Sequence, residues 1–366
     1  MKVVTVFGTR PEIIRLSEVV RRLDPFCDHR LVHTGQNYDP LLSDVFFSDL
    51  DSRQPDVHLG INAASFPEQA GQIIARVGET FERERPDRVL ILGDTNSGLA
   101  ALVAARMRIP VFHMEAGNRC YDDRVPEEVN RRVIDHASTI LLPYTERSKE
   151  NLVREGIERD RIFVTGNPIF EVMEAHRERI DASDVLPRLG LESSAYVLVT
   201  LHRAENVDDP SRLGQFVEAL SRVAEDQACP AIVSVHPRTA GKLKQAGLVP
   251  SSSRVRLLDP LGFLDFVKLE RHARVVLSDS GTVQEECAIL RVPNVTLRDV
   301  TERPETLECG SNILSGACAE DILRAVRIAL SARADWTPPA EYTTRHVSST
   351  VARIVLGYLS LREHSS

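Results

Sequence analysis

The stretch VVTVFGTRPEIIRLSEVVRRL, residues 3–23, decides the fold class. Residues 3–7 are a continuous β-branched and apolar run, which predicts a strand that is buried on both faces. Gly8 permits a tight turn after this strand, and the apolar residues of the segment 12–23 recur near helical spacing. A strand, a loop and an amphipathic helix in this order predict the first unit of a parallel α/β sheet.

The same alternation recurs through the first half of the chain and restarts in the second half, after a charged passage at residues 176–189. Further strands of the first half are predicted at residues 31–33, 89–92, 111–113, 140–142 and 162–164, with helices at 67–84, 98–107, 127–137 and 146–155. In the second half, strands are predicted at residues 196–200, 231–235, 255–258, 275–278 and 295–297, with helices at 212–225, 263–273, 283–290 and 320–330. This pattern predicts an α/β protein with two doubly wound, Rossmann-like domains.

The length of the chain and its last segment predict how the two domains divide it. With 366 residues, the chain exceeds what one hydrophobic core usually organises, so we expect two domains with a cleft between them. An apolar-periodic helix is predicted at residues 347–361, and we expect it to cross back onto the first domain. The predicted domains are residues 1–169 together with 347–366, and residues 170–346.

The composition excludes several classes of protein. A net charge of −8, with 45 Lys and Arg spread along the chain, argues against nucleic-acid binding and against a polybasic membrane contact. No apolar run approaches the length of a membrane span. The six cysteines contain no C-x-x-C pair, which argues against a structural zinc site and against a disulfide framework. With no export signal at the N-terminus, these features predict a cytoplasmic protein.

Polar motifs follow three predicted strands of the first half. Arg10, in GTRPE, could reach an anion at a helix N-terminus or could simply cap the turn. Asp94, in GDTN, could act on a sugar or could be the N-cap of the next helix. Glu115, in HMEAG, lacks an evident local role. The absence of G-x-G-x-x-G disfavours a dinucleotide cofactor.

The motif PEEVNR, residues 126–131, opens the next predicted helix. Its glutamates are placed well for the helix dipole, and Glu127 shares a helical face with Arg131, so an intrahelical ion pair would explain both residues. Together with Asp94 and Glu115, however, Glu127 completes a candidate acid/base cluster at successive strand ends.

The second half has features of a nucleotide-binding site. The small residues of the motif SGT, residues 280–282, lie between a strand and a helix, and the free amides there suit a diphosphate. Glu286 comes one helical turn later and suits ribose hydroxyl groups, while Arg303 could pair with a phosphate. His202 and His236 follow adjacent strands, either as ordinary loop residues or as groups that stabilise a leaving anion.

The motifs GTRPE, GDT, EAG, PEE-x-NR, TGN, HR, SGT-x-QEE and TERPE occur in this order between residues 8 and 305. The ordered set resembles the bacterial type of non-hydrolysing UDP-N-acetylglucosamine 2-epimerases. The resemblance implies a GT-B fold, a homodimer, a UDP-N-acetylhexosamine substrate, and a reaction in the cleft without a nucleotide cofactor or an essential metal.

The resemblance also implies roles for individual residues. It assigns catalysis to Asp94, Glu115, Glu127 and His202. It assigns substrate binding or support to Arg10, Arg131, His236, Phe266, Ser280, Gly281, Glu286 and Arg303. We add Arg15 and Thr282 to the substrate-binding set, at positions where the family commonly has Lys and Gly.

The implied reaction interconverts UDP-N-acetylglucosamine and UDP-N-acetylmannosamine. The proton at carbon 2 is not next to a carbonyl group, so its direct removal would be far too slow. Departure of UDP from carbon 1 acidifies this proton, and a carboxylate can then remove it to give a 2-acetamidoglucal. A second group returns a proton on the opposite face before UDP adds again, which suits several carboxylates around one sugar.

Other functions remain open from the sequence. The segment GNR, residues 117–119, and the motif GQNY, residues 35–38, are similar to those of enzymes that act on 6-deoxy or diacetamido-uronic acid UDP-sugars. A GT-B glycosyltransferase would have little use for three carboxylates, and a non-catalytic regulator would not need an acid/base set. The motifs do not exclude a hydrolysing epimerase that releases the free sugar.

Overall fold

The computed structural model describes residues 1–35, 40–63, 65–331 and 334–358, which form two compact units. Unit 1 comprises Met1–Ala175 and the segment from Glu341 onward, and unit 2 comprises His176–Ala340. Residues 36–38 of the GQNY motif and residues 359–361 of the predicted terminal helix lie outside the described residues.

Unit 1 is built on a six-stranded parallel sheet in the order β3-β2-β1-β4-β5-β6. Its strands are β1 (Lys2–Phe7), β2 (Asp28–His33), β3 (Val57–His58), β4 (Arg88–Leu92), β5 (Val111–Met114) and β6 (Ile140–Leu142). Its first seven helices are α1 (Arg10–Leu23), α2 (Pro40–Asp49), α3 (Phe66–Glu84), α4 (Ala100–Arg106), α5 (Pro126–Ala137), α6 (Glu146–Arg154) and α7 (Ile169–Ala175).

Burial on both faces explains why the central strands of unit 1 are mostly apolar. Val4 and Val6 of β1 belong to a fully buried cluster with Ile73 and Val77 of α3 and Ala104 of α4. Neighbouring residues of β1 point to the other face, because side chains alternate along a strand. The sheet is therefore covered by helices on both sides, as a parallel sheet requires.

Unit 2 repeats this architecture, with a parallel sheet in the order β12-β11-β10-β7-β8-β9. Its strands are β7 (Val197–Leu201), β8 (Ala231–Val235), β9 (Val255–Leu258), β10 (Val275–Ser278), β11 (Asn294–Thr296) and β12 (Asn312–Leu314). Its helices are α8 (Arg177–Ala182), α9 (Val185–Leu189), α10 (Ala204–Val207), α11 (Pro210–Asp226), α12 (Pro237–Ala246), α13 (Phe263–His272), α14 (Gly281–Leu290), α15 (Pro304–Glu308) and α16 (Ala319–Ser331). In each unit the first strand lies between the second and the fourth, which is the Rossmann order. This confirms the prediction of two doubly wound domains.

The last described helix, α17 (Val347–Gly357), packs against α1 within unit 1. Glu171 accepts hydrogen bonds from the amide and the hydroxyl of Ser348, at 2.8 and 2.6 Å. Arg88 donates to the carbonyl groups of Val355 and Tyr358 at the end of the helix. These contacts confirm that the terminal helix returns to the first domain.

Some predicted elements differ in the structure. The segment 162–164 is not a strand, since Ile162 makes only an isolated bridge to Leu141 before the chain turns at Gly166, whose φ is +86°. The predicted helix at 98–107 begins as a short 3-10 helix, Asn96–Leu99. The sequence also left the helices α2, α7, α10, α12 and α15 and the strands β3 and β12 unpredicted. Among the described residues, no helix is both long and apolar enough to span a membrane.

Candidate active site

Glu12 holds the loop between β1 and α1 of unit 1. Its Oε2 accepts hydrogen bonds from the amides of Gly8 (2.8 Å) and Thr9 (2.7 Å) and from the Thr9 hydroxyl (2.9 Å). Its Oε1 accepts a hydrogen bond from the hydroxyl of Thr95 (2.9 Å), which follows β4. Burial raises the pKa of Glu12 to about 7, although these donors act to lower it. Glu12 therefore ties together the loops at the ends of two neighbouring strands.

Arg10 is the first residue of α1, and its guanidinium lies 5.7 Å from the centre of the Phe46 ring. Burial lowers the pKa of Arg10. A cation at the N-terminus of a helix is opposed by the helix dipole, so this side chain does not serve as a favourable cap. The position suits an anionic ligand better.

Asp94 lies in the turn after β4 and is held by Arg131 of α5. The Asp94 Oδ2 atom is 2.8 Å from both Nε and Nη2 of Arg131, and the Nη1 of this arginine is 2.7 Å from Oε2 of Glu128. Asn130 donates to the Asp94 carbonyl oxygen at 3.0 Å. The N-cap of the following 3-10 helix is Thr95, so the N-cap interpretation of Asp94 is wrong. Arg131 is buried, whereas the Asp94 side chain keeps 23% of its surface exposed and can meet a ligand.

Glu115 directly follows β5 with a φ of +66°, in the left-handed region that a residue with a side chain rarely adopts. Such a conformation costs of order 1–3 kcal/mol and persists where the surroundings fix it. Its Oε2 forms an ion pair with the buried Arg15, and its Oε1 accepts a hydrogen bond from Asn118 at 3.3 Å. The Arg15 guanidinium lies 5.7 Å from the centre of the Tyr144 ring. The turn is strained, and its carboxylate is held in one place.

Asp94 and Glu115 lie close together because β4 and β5 are adjacent strands. A methyl group added at Gly93 would be 3.9 Å from Oε2 of Glu115, so the Glu115 carboxylate lies against the turn that carries Asp94. Glu127 is half-buried in the first turn of α5, one turn before Arg131. The structure thus brings Asp94, Glu115 and Arg131 together, with Glu127 on the helix that supplies Arg131.

A buried network of hydrogen bonds and an ion pair fixes the turns that follow β4 and β5. Asp135 of α5 is 2.8 Å from Nδ1 of His113, whose Nε2 is 2.8 Å from the carbonyl oxygen of Gly93. The other oxygen of Asp135 pairs with Arg119 at 2.8 Å and accepts from the amide of Gly117 at 3.2 Å. The network anchors the main chain on both sides of Glu115, so the two candidate carboxylates are pre-positioned.

In unit 2, His202 follows β7 and is oriented by Asp279, which follows the adjacent strand β10. Oδ1 of Asp279 is 3.1 Å from Nδ1 of His202. Asp279 is fully buried and also accepts from the amides of His202 and Arg203 and from the side chain of Asn206, at 2.8–3.1 Å. Burial opposes its ionisation, but the His202 ring and these donors lower the pKa of Asp279 to about 2. An ionised carboxylate can only accept, so Nδ1 of His202 carries the hydrogen and Nε2 is left for a ligand.

The motif SGT forms the start of α14, where unpaired amides favour an anion. The hydroxyl groups of Ser280 and Thr282 are 2.9 Å apart. A methyl group added at Gly281 would come within 2.7 Å of Oε1 of Glu302, so only glycine fits there without a shift. The same methyl would be 3.7 Å from Nη2 of Arg303, which places this arginine beside the helix N-terminus.

Arg303 is buried and forms an ion pair with Glu285 of α14. Glu302 lies among three arginines, 2.8 Å from Arg298, 3.5 Å from Arg203 and 3.8 Å from Arg303. The sequence did not predict that Arg303 forms ion pairs with both Glu285 and Glu302. Arg303 therefore presents a cation whose orientation is already fixed by carboxylates.

The remaining predicted residues of unit 2 lie on three helices. Glu286 is on α14 and is 5% exposed, and Phe266 is half-buried on α13, which packs against α14. Nδ1 of His236 accepts from the amide of Arg238 at 3.2 Å, so His236 is the N-cap of α12. The ring of His236 is 6.5 Å from that of His202. The two histidines are neighbours, as their adjacent strand ends predicted.

The family model of UDP-N-acetylglucosamine 2-epimerase matches residues 21–356 of the chain. The chain belongs to the UDP-N-acetylglucosamine 2-epimerase family. The enzyme of this name from Methanocaldococcus jannaschii is 41% identical over 348 residues, covering 93% of this chain and 95% of the relative. The UDP-2,3-diacetamido-2,3-dideoxy-D-glucuronate 2-epimerase of Pseudomonas aeruginosa is 37% identical over 334 residues, covering 90% of this chain and 92% of the relative.

A crystal structure of the M. jannaschii UDP-GlcNAc 2-epimerase in complex with UDP-GlcNAc and UDP resembles this chain with a TM-score of 0.93. The two share 40% sequence identity, and the match covers 98% of this chain and all of the other. A structure of the Neisseria meningitidis enzyme bound to UDP-GlcNAc has a TM-score of 0.88 at 29% identity, covering 97% of this chain and all of the other. These matches confirm the fold and the family that the ordered motifs indicated.

Sequence reasoning missed the residues that orient the candidate catalytic groups of this epimerase. Asp279 directly precedes the SGT motif at a strand end, which is the signal that singled out Asp94 and Glu115. Asn118 lies in the GNR segment and Glu12 in GTRPE, yet both were passed over as parts of those motifs. The sequence offered Glu127 as the ion-pair partner of Arg131, whereas the close partners that the structure gives this arginine are Glu128 and Asp94.

Proposed function

We propose that the chain interconverts UDP-N-acetylglucosamine and UDP-N-acetylmannosamine by eliminating UDP and adding it again. The observation that carries the proposal is the pair Asp94 and Glu115, two carboxylates on adjacent strand ends that are each held by a buried arginine. The relatives named 2-epimerases, two of them bound to UDP-GlcNAc, favour this reaction over glycosyl transfer.

In this proposal unit 2 binds the UDP part of the substrate. The amides at the start of α14 receive the diphosphate, with Arg303 beside them and Ser280, Gly281 and Thr282 forming the turn. His202 acts here as an imidazolium, which donates from Nδ1 to Asp279 and from Nε2 to the diphosphate. His236 supports His202, Glu286 accepts from the ribose hydroxyl groups, and Phe266 packs against the nucleoside.

Unit 1 acts on the sugar in this proposal. Arg10 adds positive charge for the departing diphosphate, and the loss of this group acidifies the proton at carbon 2. One of the carboxylates Asp94, Glu115 and Glu127 removes that proton, and a second returns one from the opposite face of the 2-acetamidoglucal. Arg131 and Arg15 hold Asp94 and Glu115 in position through ion pairs between turnovers.

Exchange of the carbon-2 proton with solvent tests this function directly. The protein is incubated with UDP-N-acetylglucosamine in heavy water without an acceptor, and carbon 2 is followed by NMR. We expect deuterium at carbon 2 in both UDP-N-acetylglucosamine and UDP-N-acetylmannosamine. Free sugar together with UDP would instead indicate a hydrolysing epimerase, and product formed without deuterium would refute the elimination mechanism.

A second candidate is a 2-epimerase of a modified UDP-sugar. The P. aeruginosa relative, named for UDP-2,3-diacetamido-2,3-dideoxy-D-glucuronate, is 37% identical and matches 90% of this chain, which makes this sugar the specific alternative. The same assay with both UDP-sugars separates the candidates, because the correct substrate should exchange much faster at equal concentration. Faster exchange of the uronate would replace our first choice of substrate and leave the mechanism intact.

We also propose that the protein is a homodimer that associates through unit 1. The helices α3, α4 and α5 pack side by side and carry apolar side chains that are 39–48% exposed, namely Ile74, Leu102, Val129 and Val133. A second copy of the chain would cover this apolar surface. The cytoplasmic location stays a prediction from the sequence.

Charge placed on this apolar surface should dissociate the dimer. We expect a dimeric mass for the wild type in analytical ultracentrifugation and a monomeric mass for Val129→Glu/Val133→Glu, since the glutamates would have to be buried unpaired. Ile328→Glu is the matched control, because Ile328 is a similarly exposed apolar residue on α16 of unit 2. A monomeric wild type, or a double variant that remains dimeric, would contradict the proposal.

A further inference from the structure

A pair of carboxyl groups lies beside the proposed nucleoside site of unit 2. Glu270 is on α13 and Glu286 is on α14, and the two helices pack together. Glu270 is fully buried and Glu286 is 5% exposed. In the part of the chain that the structure describes, neither carboxyl oxygen of Glu270 has a hydrogen-bond donor. The charged group that acts on Glu270 is Glu286.

Two of the cations near Glu270 along the chain are engaged elsewhere, and a third, Arg274, is exposed. Arg271 and Lys268 of α13 bind Asp181 of α8 at 2.5 Å and 3.0 Å, through its carboxylate and its carbonyl group respectively. Arg188 of α9 pairs with Asp265, on another part of α13. The helices other than α14 that pack closely on α13 are α8 and α9, and no described residue of either one donates to the Glu270 carboxyl group.

The other titratable groups around Glu270 do not supply a donor either. The hydroxyl of Tyr196, which precedes β7, donates to the carbonyl oxygen of Leu269 at 2.6 Å. Cys287 of α14 is fully buried, and burial together with Glu270 and Glu286 raises the pKa of its thiol well above the ordinary value. Among the described residues, none of these groups donates to either carboxyl oxygen of Glu270, and the charged group that Glu270 meets is Glu286.

An ionised Glu270 beside Glu286 would be a buried charge that has no donor of its own and is repelled by its neighbour. One proton resolves this, because a carboxylic acid donates a hydrogen bond to a neighbouring carboxylate. Burial and then the charge of Glu286 raise the pKa of Glu270 well above its ordinary value. The deeper of the two groups is thus the one that keeps the proton.

We infer that Glu270 is a protonated positioning residue whose carboxyl group donates to Glu286 and aims it at the ribose hydroxyl groups of the nucleotide. Phe266 is one helical turn before Glu270 on the same face of α13, and it packs on the apolar cluster that includes Val283 and Cys287 of α14. Glu270 therefore lies next to both groups that are proposed to contact the nucleoside, Phe266 and Glu286. The inference rests on the proposed function only in naming the ribose as the ligand of Glu286.

Nucleotide binding by two matched variants tests the positioning role. Glu270→Gln keeps a neutral donor of nearly the same shape, whereas Glu270→Leu keeps the volume and removes the donor. We expect the Kd for UDP to stay within about twofold for Glu270→Gln and to rise about tenfold for Glu270→Leu, measured by calorimetry. The loss should disappear when the probe is 2′,3′-dideoxy-UDP, which lacks the ribose hydroxyl groups.

The outcomes of the binding experiment separate this inference from the proposed function. A wild type that does not bind UDP would overturn the function. If the wild type binds UDP and Glu270→Leu binds it with the same Kd, the inference alone is overturned. The same holds if Glu270→Leu loses affinity for UDP and for dideoxy-UDP to the same extent. A tenfold loss in Glu270→Gln would also overturn it, because a neutral donor would then not suffice.

The pH dependence of unfolding tests the proton without any nucleotide. The folded protein keeps this proton at a pH where the unfolded chain has lost it. The stability contributed by protonated Glu270 is therefore fully present below the ordinary carboxyl pKa. It falls as the pH rises from that value toward the raised pKa of the folded state. We expect the urea midpoint of Glu270→Gln to exceed that of the wild type at about pH 8 and to approach it at about pH 4. An equal difference at both pH values would overturn the inference, even if Glu270→Leu fails to fold.

Discussion

Asp94→Asn and Glu115→Gln are each expected to lower the rate of epimerisation about a thousandfold while leaving the Kd for UDP nearly unchanged. Each change removes a proton acceptor and keeps the shape of the side chain. The lost step is the transfer of the carbon-2 proton, which no neighbouring neutral group can perform. UDP affinity should survive because the groups proposed to bind UDP belong mainly to unit 2.

The two variants should differ in stability for a reason that the structure gives. Arg15 and its partner Glu115 are both nearly buried, so Glu115→Gln leaves a buried cation without its counter-charge. Asp94 is more exposed than Glu115, so water can compensate Arg131 more easily in Asp94→Asn. We therefore expect the larger drop in the urea midpoint for Glu115→Gln.

The measurement is the rate of deuterium uptake at carbon 2 by NMR, with UDP affinity determined by calorimetry. Asp28→Asn is the matched control, because Asp28 is an exposed carboxylate at the amino end of β2, the end opposite to the catalytic motifs. Its rate should equal that of the wild type. Exchange at the wild-type rate in Asp94→Asn or Glu115→Gln would remove that residue from the mechanism.

The central strands and the motifs were predictable because each has a local signal. β1, β4, β7 and β8 are largely buried on both faces and are therefore mostly apolar, which distinguishes them from their surroundings. The edge strands β3 and β12 have two and three residues, too few for a periodic pattern to appear. Their place in the sheet depends on pairing with β2 and β11, which is tertiary information.

The partners of the site residues were less predictable, since they depend on how distant segments meet. Arg15 and Glu115 are 100 positions apart, and nothing in either local sequence indicates their ion pair. Arg131 had a plausible partner four residues away in Glu127, yet the fold brings Asp94 to it across 37 positions. The sequence indicates which charged residues follow the strands. Which of these residues pair with one another depends on the order of the strands in the sheet.

Asp279→Asn is expected to lower kcat about a hundredfold while changing KM for the UDP-sugar little. Asp279 fixes the hydrogen on Nδ1 of His202, and its negative charge stabilises a positive charge on the ring as the diphosphate leaves. In asparagine the oxygen is held by the amides of His202 and Arg203, which turns the NH2 group toward Nδ1 of His202, so the ring loses both the acceptor for its hydrogen and its counter-charge. The effect should therefore fall on the step in which UDP departs.

A double-mutant cycle with His202→Ala distinguishes positioning from a general loss of structure. Without the imidazole ring, Asp279→Asn has nothing left to misorient, so its effect on kcat in the His202→Ala background should shrink to about twofold or less. Urea unfolding of all four proteins controls for stability, because Asp279 also accepts from main-chain amides whatever residue occupies position 202. A hundredfold effect that persists in the absence of His202 would mean that Asp279 acts through the β10–α14 loop itself, and the orientation of His202 would then play no part in expelling UDP.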